Sequence, residues 1–346
     1  MNHARSFRRH LAIPAACLLA ITSLVAAAIQ DRSVTAAAAG CSLSKKLTPS
    51  CGILSGAFVA PRAGESQQTA FTRFERQVGA KQQIVHAYHR GTQLFPRPWE
   101  LALASKGRTL FLNWKPEAGR TWAQVAAGKS DSYINKEAAY LKTHLHKKFF
   151  LTIHHEPENE VVAKKGSGYT ATDYRRMYRH VVDRIRAAGV TNAVFVMNYM
   201  GAQNQMTKSW FTSLWPGADY VDWVAYDPYV TPELNGQRGG FPWLVNAHWG
   251  SEFKGAYNWF AKHYPKKPMM FAEWGVAEKP GSQTYKPSLF KSVPKLVGNY
   301  PKIKAMVYFD VPRESASRNV QVDTTKSSLS AYKTMMDGHV FSSAPG

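Results

Sequence analysis

Leu151-Thr-Ile-His-His-Glu-Pro-Glu158 is an apolar run that reads as a β-strand and ends abruptly in His154, His155, Glu156 and Glu158. A second stretch matches it: Lys267-Pro-Met-Met-Phe-Ala-Glu-Trp-Gly275 is again a short apolar run that delivers one carboxylate, Glu273, followed by an aromatic residue and a turn glycine. Short apolar runs bounded by turn signals and separated by helical segments are the pattern of a parallel sheet.

Working outward, the same pattern recurs. Ile53 to Val59, Gln82 to His89, Arg108 to Trp114, Phe149 to His155, Ala193 to Met197, Tyr220 to Tyr226, the Glu273 run and Ile303 to Phe309 read as strands. Between them, Gln67 to Val78, Asp131 to His144 and Ser251 to His263 read as helices. In the clearest helix, Tyr174, Met177, Tyr178, Val181, Val182 and Ile185 recur at the helical period, with Thr172 as cap and Gly189 as stop. Eight such units with right-handed crossovers close as a single-domain (β/α)8 TIM barrel, an α/β fold that keeps its chemistry at the C-terminal ends of the strands. His86, His89, Trp114, Glu156, Asn198, Asp227, Tyr229 and Glu273 all fall at such ends.

The chain has 346 residues, 45% of them hydrophobic and 19% charged, which is globular composition and excludes a disordered chain. Residues 1–40 differ from the rest. Arg5, Arg8 and Arg9 precede an apolar run from Leu11 to Ala28, and Ala36 to Ala39 offer small residues for cleavage. That pattern predicts a secretory signal peptide and leader, and with it a secreted, extracellular protein with no membrane attachment after signal removal. Cys17 lies in the leader. Cys41 and Cys51 are then an even pair in an exported chain, for which a disulfide in an N-terminal tail, residues 41–52, is the expected state. Residues 53–346 are left as the catalytic domain.

The formal net charge is +21, and +18 once Arg5, Arg8, Arg9, Arg32 and Asp31 are removed with the leader. Such a field favours electrostatic association with anionic cell-wall polymers. The lysines and arginines are scattered, as in Lys147-Lys148 and Lys164-Lys165, so no specific nucleic-acid partner is expected. A monomer is expected.

Two carboxylates at strand ends suit glycoside hydrolysis. In its retaining form one carboxyl is general acid and then base, while the other attacks the anomeric carbon from about 5–5.5 Å away. Glu158 is a rival to Glu156 on spacing alone. His154, His155 and Glu156 could also suggest a metal site, but adjacent residues of a strand point to opposite faces, so no metal and no cofactor are expected. Trp114 and Trp274 could stack sugar rings or simply pack, whereas Trp223, inside a strand, reads as core.

His155-Glu156-Pro157, Leu112-Asn-Trp-Lys-Pro116, the segment Trp215 to Tyr229, the Glu273 stretch and Ile303-Lys-Ala-Met-Val-Tyr-Phe-Asp310 together resemble glycoside hydrolase family 26, the β-mannanase family of the clan A retaining barrel glycosidases. The resemblance spans most of residues 53–335. It implies Glu156 as acid/base and Glu273 as nucleophile, with His155 and Tyr229 in support and a β-linked polysaccharide, first of all β-1,4-mannan, as substrate. His86, Trp114, Asn198, Asp227 and Trp274 are the candidate substrate contacts. A β-glucanase of the same fold and a catalytically weak carbohydrate-binding protein are the alternatives. The chain departs from the family pattern in Pro157-Glu158-Asn159-Glu160 and in Tyr308-Phe309-Asp310, neither of which carries a tryptophan.

Overall fold

The computed structural model describes residues 40–231, 239–312 and 319–345. The chain divides into two units, residues 1–41 and 42–346. Of the first, Gly40 and Cys41 alone are described, so the predicted leader lies outside the described residues up to position 39. Cys41 and Cys51 are each disulfide-bonded.

The second unit is the expected barrel. Its strands are β1 (Leu54–Val59), β2 (Ile84–Arg90), β3 (Thr109–Lys115), β4 (Phe149–Ile153), β5 (Ala193–Tyr199), β6 (Trp223–Tyr226), β7 (Met269–Val276) and β8 (Ile303–Asp310), with a two-residue strand, Tyr229–Val230, pairing with the end of β7. Every neighbouring pair is parallel, β8 pairs back onto β1, and β6 pairs with β7, so the eight strands close on themselves. Closure removes the unpaired backbone groups that an open edge would expose.

Side chains alternate across this sheet. Leu54, Ile84, Phe111, Phe150, Val194, Val196, Trp223, Ala225, Met270, Ala272, Ala305 and Val307 form one buried cluster inside the barrel. The intervening residues, among them Ala57, Leu112, Leu151, Phe195, Val224 and Phe271, join a second cluster under the helices. Trp223 is core, as its position inside a strand predicts. The loop before β1 closes the lower end of the barrel: Leu47 joins the inner cluster, Trp223 Nε1 donates to the Lys46 carbonyl at 2.7 Å, and Lys46 Nζ pairs with Asp222 at 2.9 Å.

The helices follow local sequence signals. In α1 (Gln67–Val78), Ser66 caps the start and Gly79, in the left-handed region, ends it. α2 (Pro98–Ser105), α3 (Trp122–Ala126) and α4 (Asp131–His144) follow. α5 (Ala171–Ala187) is capped by Thr170, not by Thr172. Thr170 Oγ1 accepts the Asp173 N–H while Asp173 Oδ2 accepts the Thr170 N–H, a reciprocal box that Thr172, already inside the first turn, cannot form. β4 also stops earlier than expected, at Ile153, because His154 and Glu156 both adopt left-handed backbone (φ 53° and 47°).

Trp223 fills the lower barrel from one side chain, so Trp223→Ala should cost about 3–5 kcal/mol of stability. Chemical denaturation of the variant beside the wild type checks this. A loss below about 1 kcal/mol would contradict a close-packed inner cluster.

Candidate active site

At the upper end of the barrel the alternation that fills the core delivers polar side chains instead. On β2, Ile84 and His86 point inward and Tyr88 follows on the same face. On β6 the inward series Trp223, Ala225 continues beyond the strand to Asp227 and Tyr229. β7 departs from strict alternation. Phe271 and Trp274 register with Met306 and Tyr308, so two residues of β7 face one of β8. This bulge reverses the parity of the strand end. Without it, the series Met270, Ala272 would continue to Trp274; with it, Glu273 lines the cleft and Trp274 packs among Phe290 and Tyr308 in the outer layer.

Glu156 and Glu273 line one cleft of about 260 Å³, together with Phe58, Tyr88, Asn113, His155 and Phe309. The Tyr229 hydroxyl donates to Glu273 Oε2 at 2.7 Å, and the Tyr88 hydroxyl donates to Oε1. Burial and the neighbouring Glu273 charge raise both phenols well above their ordinary range, so they remain O–H donors. An ionised carboxylate, which can only accept, matches this pair of donors. The Glu273 N–H donates to Asp227 Oδ1 at 2.9 Å, and Asn198 Nδ2 holds Asp227 Oδ2 at 2.7 Å.

Glu156 has a different environment. Burial first, and then the Glu273 charge, push its carboxyl up to about 7. Its Oε2 accepts Asn159 Nδ2 at 3.0 Å, and its N–H donates to the Asn198 carbonyl at 3.0 Å. Asp227 is raised well above the carboxylate range by burial and by the charges of Glu273 and Glu156. The site is thus a cluster of three carboxyls in which both Glu156 and Asp227 resist ionisation beside Glu273. Glu158, the rival on spacing, turns away: it is buried, accepts the Met200 N–H at 3.0 Å, and is pushed up to about 8 by burial.

The two adjacent histidines do separate. His155 lines the cleft edge-on to Tyr88, its ring centroid 5.5 Å away, and burial pushes its imidazole down to about 3, so it is neutral. His154 turns outward against Trp122. Burial opposes its charge, but Glu117 at Nδ1 and Glu160, 3.3 Å from Nε2, outweigh burial and raise it. Glu117, His154 and Glu160 are close enough together to hold an ion. Glu160 is also paired with Lys115 Nζ at 2.5 Å, so cations of the protein already balance these carboxylates.

Other predicted contacts move to supporting roles. Trp114 is fully buried in the outer layer, edge-on to Phe95, with Nε1 donating to the Gly91 carbonyl at 3.0 Å, so it stacks no sugar. The period of two explains the correction: Asn113, its neighbour on β3, takes the inward position. Trp274 is likewise core, for the bulge described above. His86 is buried against Phe111 with a ring separation of 4.2 Å and backs Tyr88, while Asn198 holds Asp227; neither is open to substrate. His89 faces the helices, where it pairs with Glu100 at 3.2 Å.

Tyr88 and Asn113 are cleft residues that sequence reasoning did not single out, as are Phe58 and Phe309. Tyr88 shares the inward face of His86, and that parity was the available signal. Asn113 is 2% exposed, and both amide atoms lack a hydrogen-bond partner although it lines the cleft. A buried amide left unpaired costs about 1–3 kcal/mol, a penalty that a ligand hydroxyl would relieve.

Comparison with known proteins agrees with this geometry. Residues 150–255 match the model of glycosyl hydrolase family 26. The chain is 26% identical over 293 residues to Endoglucanase H of Acetivibrio thermocellus, covering 82% of this chain and 30% of that relative's length. Among solved structures, the GH26 endo-β-1,4-mannanase catalytic domain of Bacillus sp. JAMB-750 superposes with a TM-score of 0.59 at 15% identity, covering 85% of this chain and 89% of that one. The GH26 β-mannanase of Bacteroides ovatus does so with 0.55 at 16%, covering 83% and 89%. Residues 150–255 are thus similar in sequence to glycosyl hydrolase family 26, and the barrel as a whole is similar in fold to solved structures from that family.

The raised Glu156 carboxyl can be read directly. In protein labelled at the glutamate side-chain carboxyl carbon, one resonance that titrates near pH 7 should vanish in Glu156→Gln. Titration of the Glu156 resonance near 4.5 would contradict the burial and charge argument.

Proposed function

We propose that this protein is a retaining endo-glycosidase that cleaves a β-linked polysaccharide by double displacement. The observation that carries the reading is the pairing in one cleft of Glu273, held by two phenols, with Glu156, whose carboxyl is pushed up to about 7. Glu273 attacks the anomeric carbon while Glu156 donates its proton to the departing glycosidic oxygen. Once the glycosyl group is bound, Glu273 no longer carries the charge that raised Glu156. Glu156 then ionises more readily and takes a proton from the water that releases the sugar. Tyr88 and Tyr229 fix the direction of the nucleophile, and neutral His155 borders the acid. Asn113 supplies a donor and an acceptor for a sugar hydroxyl.

The backbone sugar has two candidates. β-1,4-Mannan is the substrate to which the family resemblance points, and two of the barrels of like fold are described as mannanases. A β-glucan is the second reading, favoured by the relative detected in sequence, which is named an endoglucanase. Export rests on the N-terminal sequence pattern, and the net charge of +18 left once residues 1–40 are removed supports retention on anionic wall polymers.

Reducing-sugar release from mannan, glucomannan, mixed-linkage glucan, xylan and an acidic glycan tests the reading. Release from a β-mannan or β-glucan that falls at least about 10³-fold in both Glu156→Gln and Glu273→Gln is expected. Release that survives either substitution would remove the two-glutamate mechanism.

A further inference from the structure

A larger cavity, of about 400 Å³, adjoins the catalytic cleft on the β5 and β6 side. Asp227 and Tyr229 line it, and the same two residues hydrogen-bond Glu273, so they form a ridge between the cavity and the nucleophile. Gly201, Gln203, Leu244 and Trp249 form other parts of its wall.

Trp249 stands out at this wall. The residue is 50% exposed, and among the described residues only Val162 is a comparably exposed large hydrophobic. The segment that carries it is nevertheless fixed: Gln203 Nε2 donates to the Trp249 carbonyl at 3.0 Å, and Gln203 Oε1 accepts the Trp249 N–H at 2.6 Å. Trp243 meets the indole edge-on, with centroids 5.4 Å apart and planes at 90°. A single exposed aromatic needs no explanation by itself. A tryptophan whose backbone N–H and carbonyl are both held and whose indole meets one ring edge, in the wall of a cavity also lined by two hydrogen-bond partners of Glu273, is a preorganised apolar plate.

We propose that this cavity is a second sugar subsite, in which a further pyranose unit of the same polysaccharide stacks on Trp249 while the unit undergoing cleavage lies across the Asp227–Tyr229 ridge. Pyranoses present flat arrays of C–H groups, which suit an aromatic face, and an occupant continuous with the catalytic cleft must be the substrate chain itself. The subsite rests on the glycosidase reading for its ligand class. Its role is to supply binding energy remote from the reacting bond, which favours polymers over short substrates.

The test is affinity electrophoresis of Glu273→Gln protein through gels containing mixed-linkage glucan or glucomannan, beside Glu273→Gln/Trp249→Ala and Glu273→Gln/Trp249→Phe. Loss of the indole should weaken binding about tenfold, and phenylalanine should restore part of it. Near-ultraviolet circular dichroism checks that the variants remain folded. Equal retardation of all three proteins, or retardation of none, would overturn the subsite. If wild-type protein releases no sugar yet retardation still depends on Trp249, the subsite stands and the hydrolase reading falls.

Discussion

The extra residue on β7 between Phe271 and Trp274 decides what the top of this barrel can do. A strand of strict alternation would bury Glu273 among the helices and aim an indole at the cleft. The bulge exchanges them. Glu273 then meets two phenols and the Asp227 carboxyl, and Trp274 completes the aromatic packing of Phe290 and Tyr308. Strand parity, set by backbone hydrogen bonding, thus decides the site, since a shift of one residue separates a carboxylate open to the cleft from a buried charge without a partner.

Around that carboxylate the remaining groups are sorted by their surroundings. Glu156 and Asp227 are buried near the Glu273 charge and resist ionisation, while Tyr88 and Tyr229 keep their protons and donate. Such divergence between neighbouring carboxyls divides the roles of acid and nucleophile. The left-handed residues His154 and Glu156 matter for the same reason. They end β4 early, send His154 to Glu117 and Glu160, and leave His155 and Glu156 on the cleft side.

Much of this was legible in the sequence because it follows from short-range patterns. All eight strands and the long helix at Ala171–Ala187 are marked by apolar periodicity, and the two glutamates by their place at apolar strand ends. Tyr229, a supporting residue by the family resemblance, hydrogen-bonds Glu273. What escaped depends on facing and register. Trp114 and Trp274 both read from sequence as candidate substrate contacts, yet Asn113 holds the inward position on β3, and the bulge that turns Trp274 away depends on pairing with β8. The contact of Tyr88 with Glu273 joins residues 185 apart in the chain, and no local pattern marks it. Trp249 lies in a loop whose position is set by Gln203, and neither residue carries a periodic signal.

The central claim is that Glu273 forms a bond to sugar. Incubation with a 2-deoxy-2-fluoro glycoside bearing a good leaving group slows breakdown of the covalent intermediate, and peptide mass spectrometry then locates the label. One added glycosyl group on the peptide containing Glu273, absent from Glu273→Gln, is the result this account predicts. Label on Glu156 or Asp227 instead, or inversion of configuration in the released sugar, would contradict it.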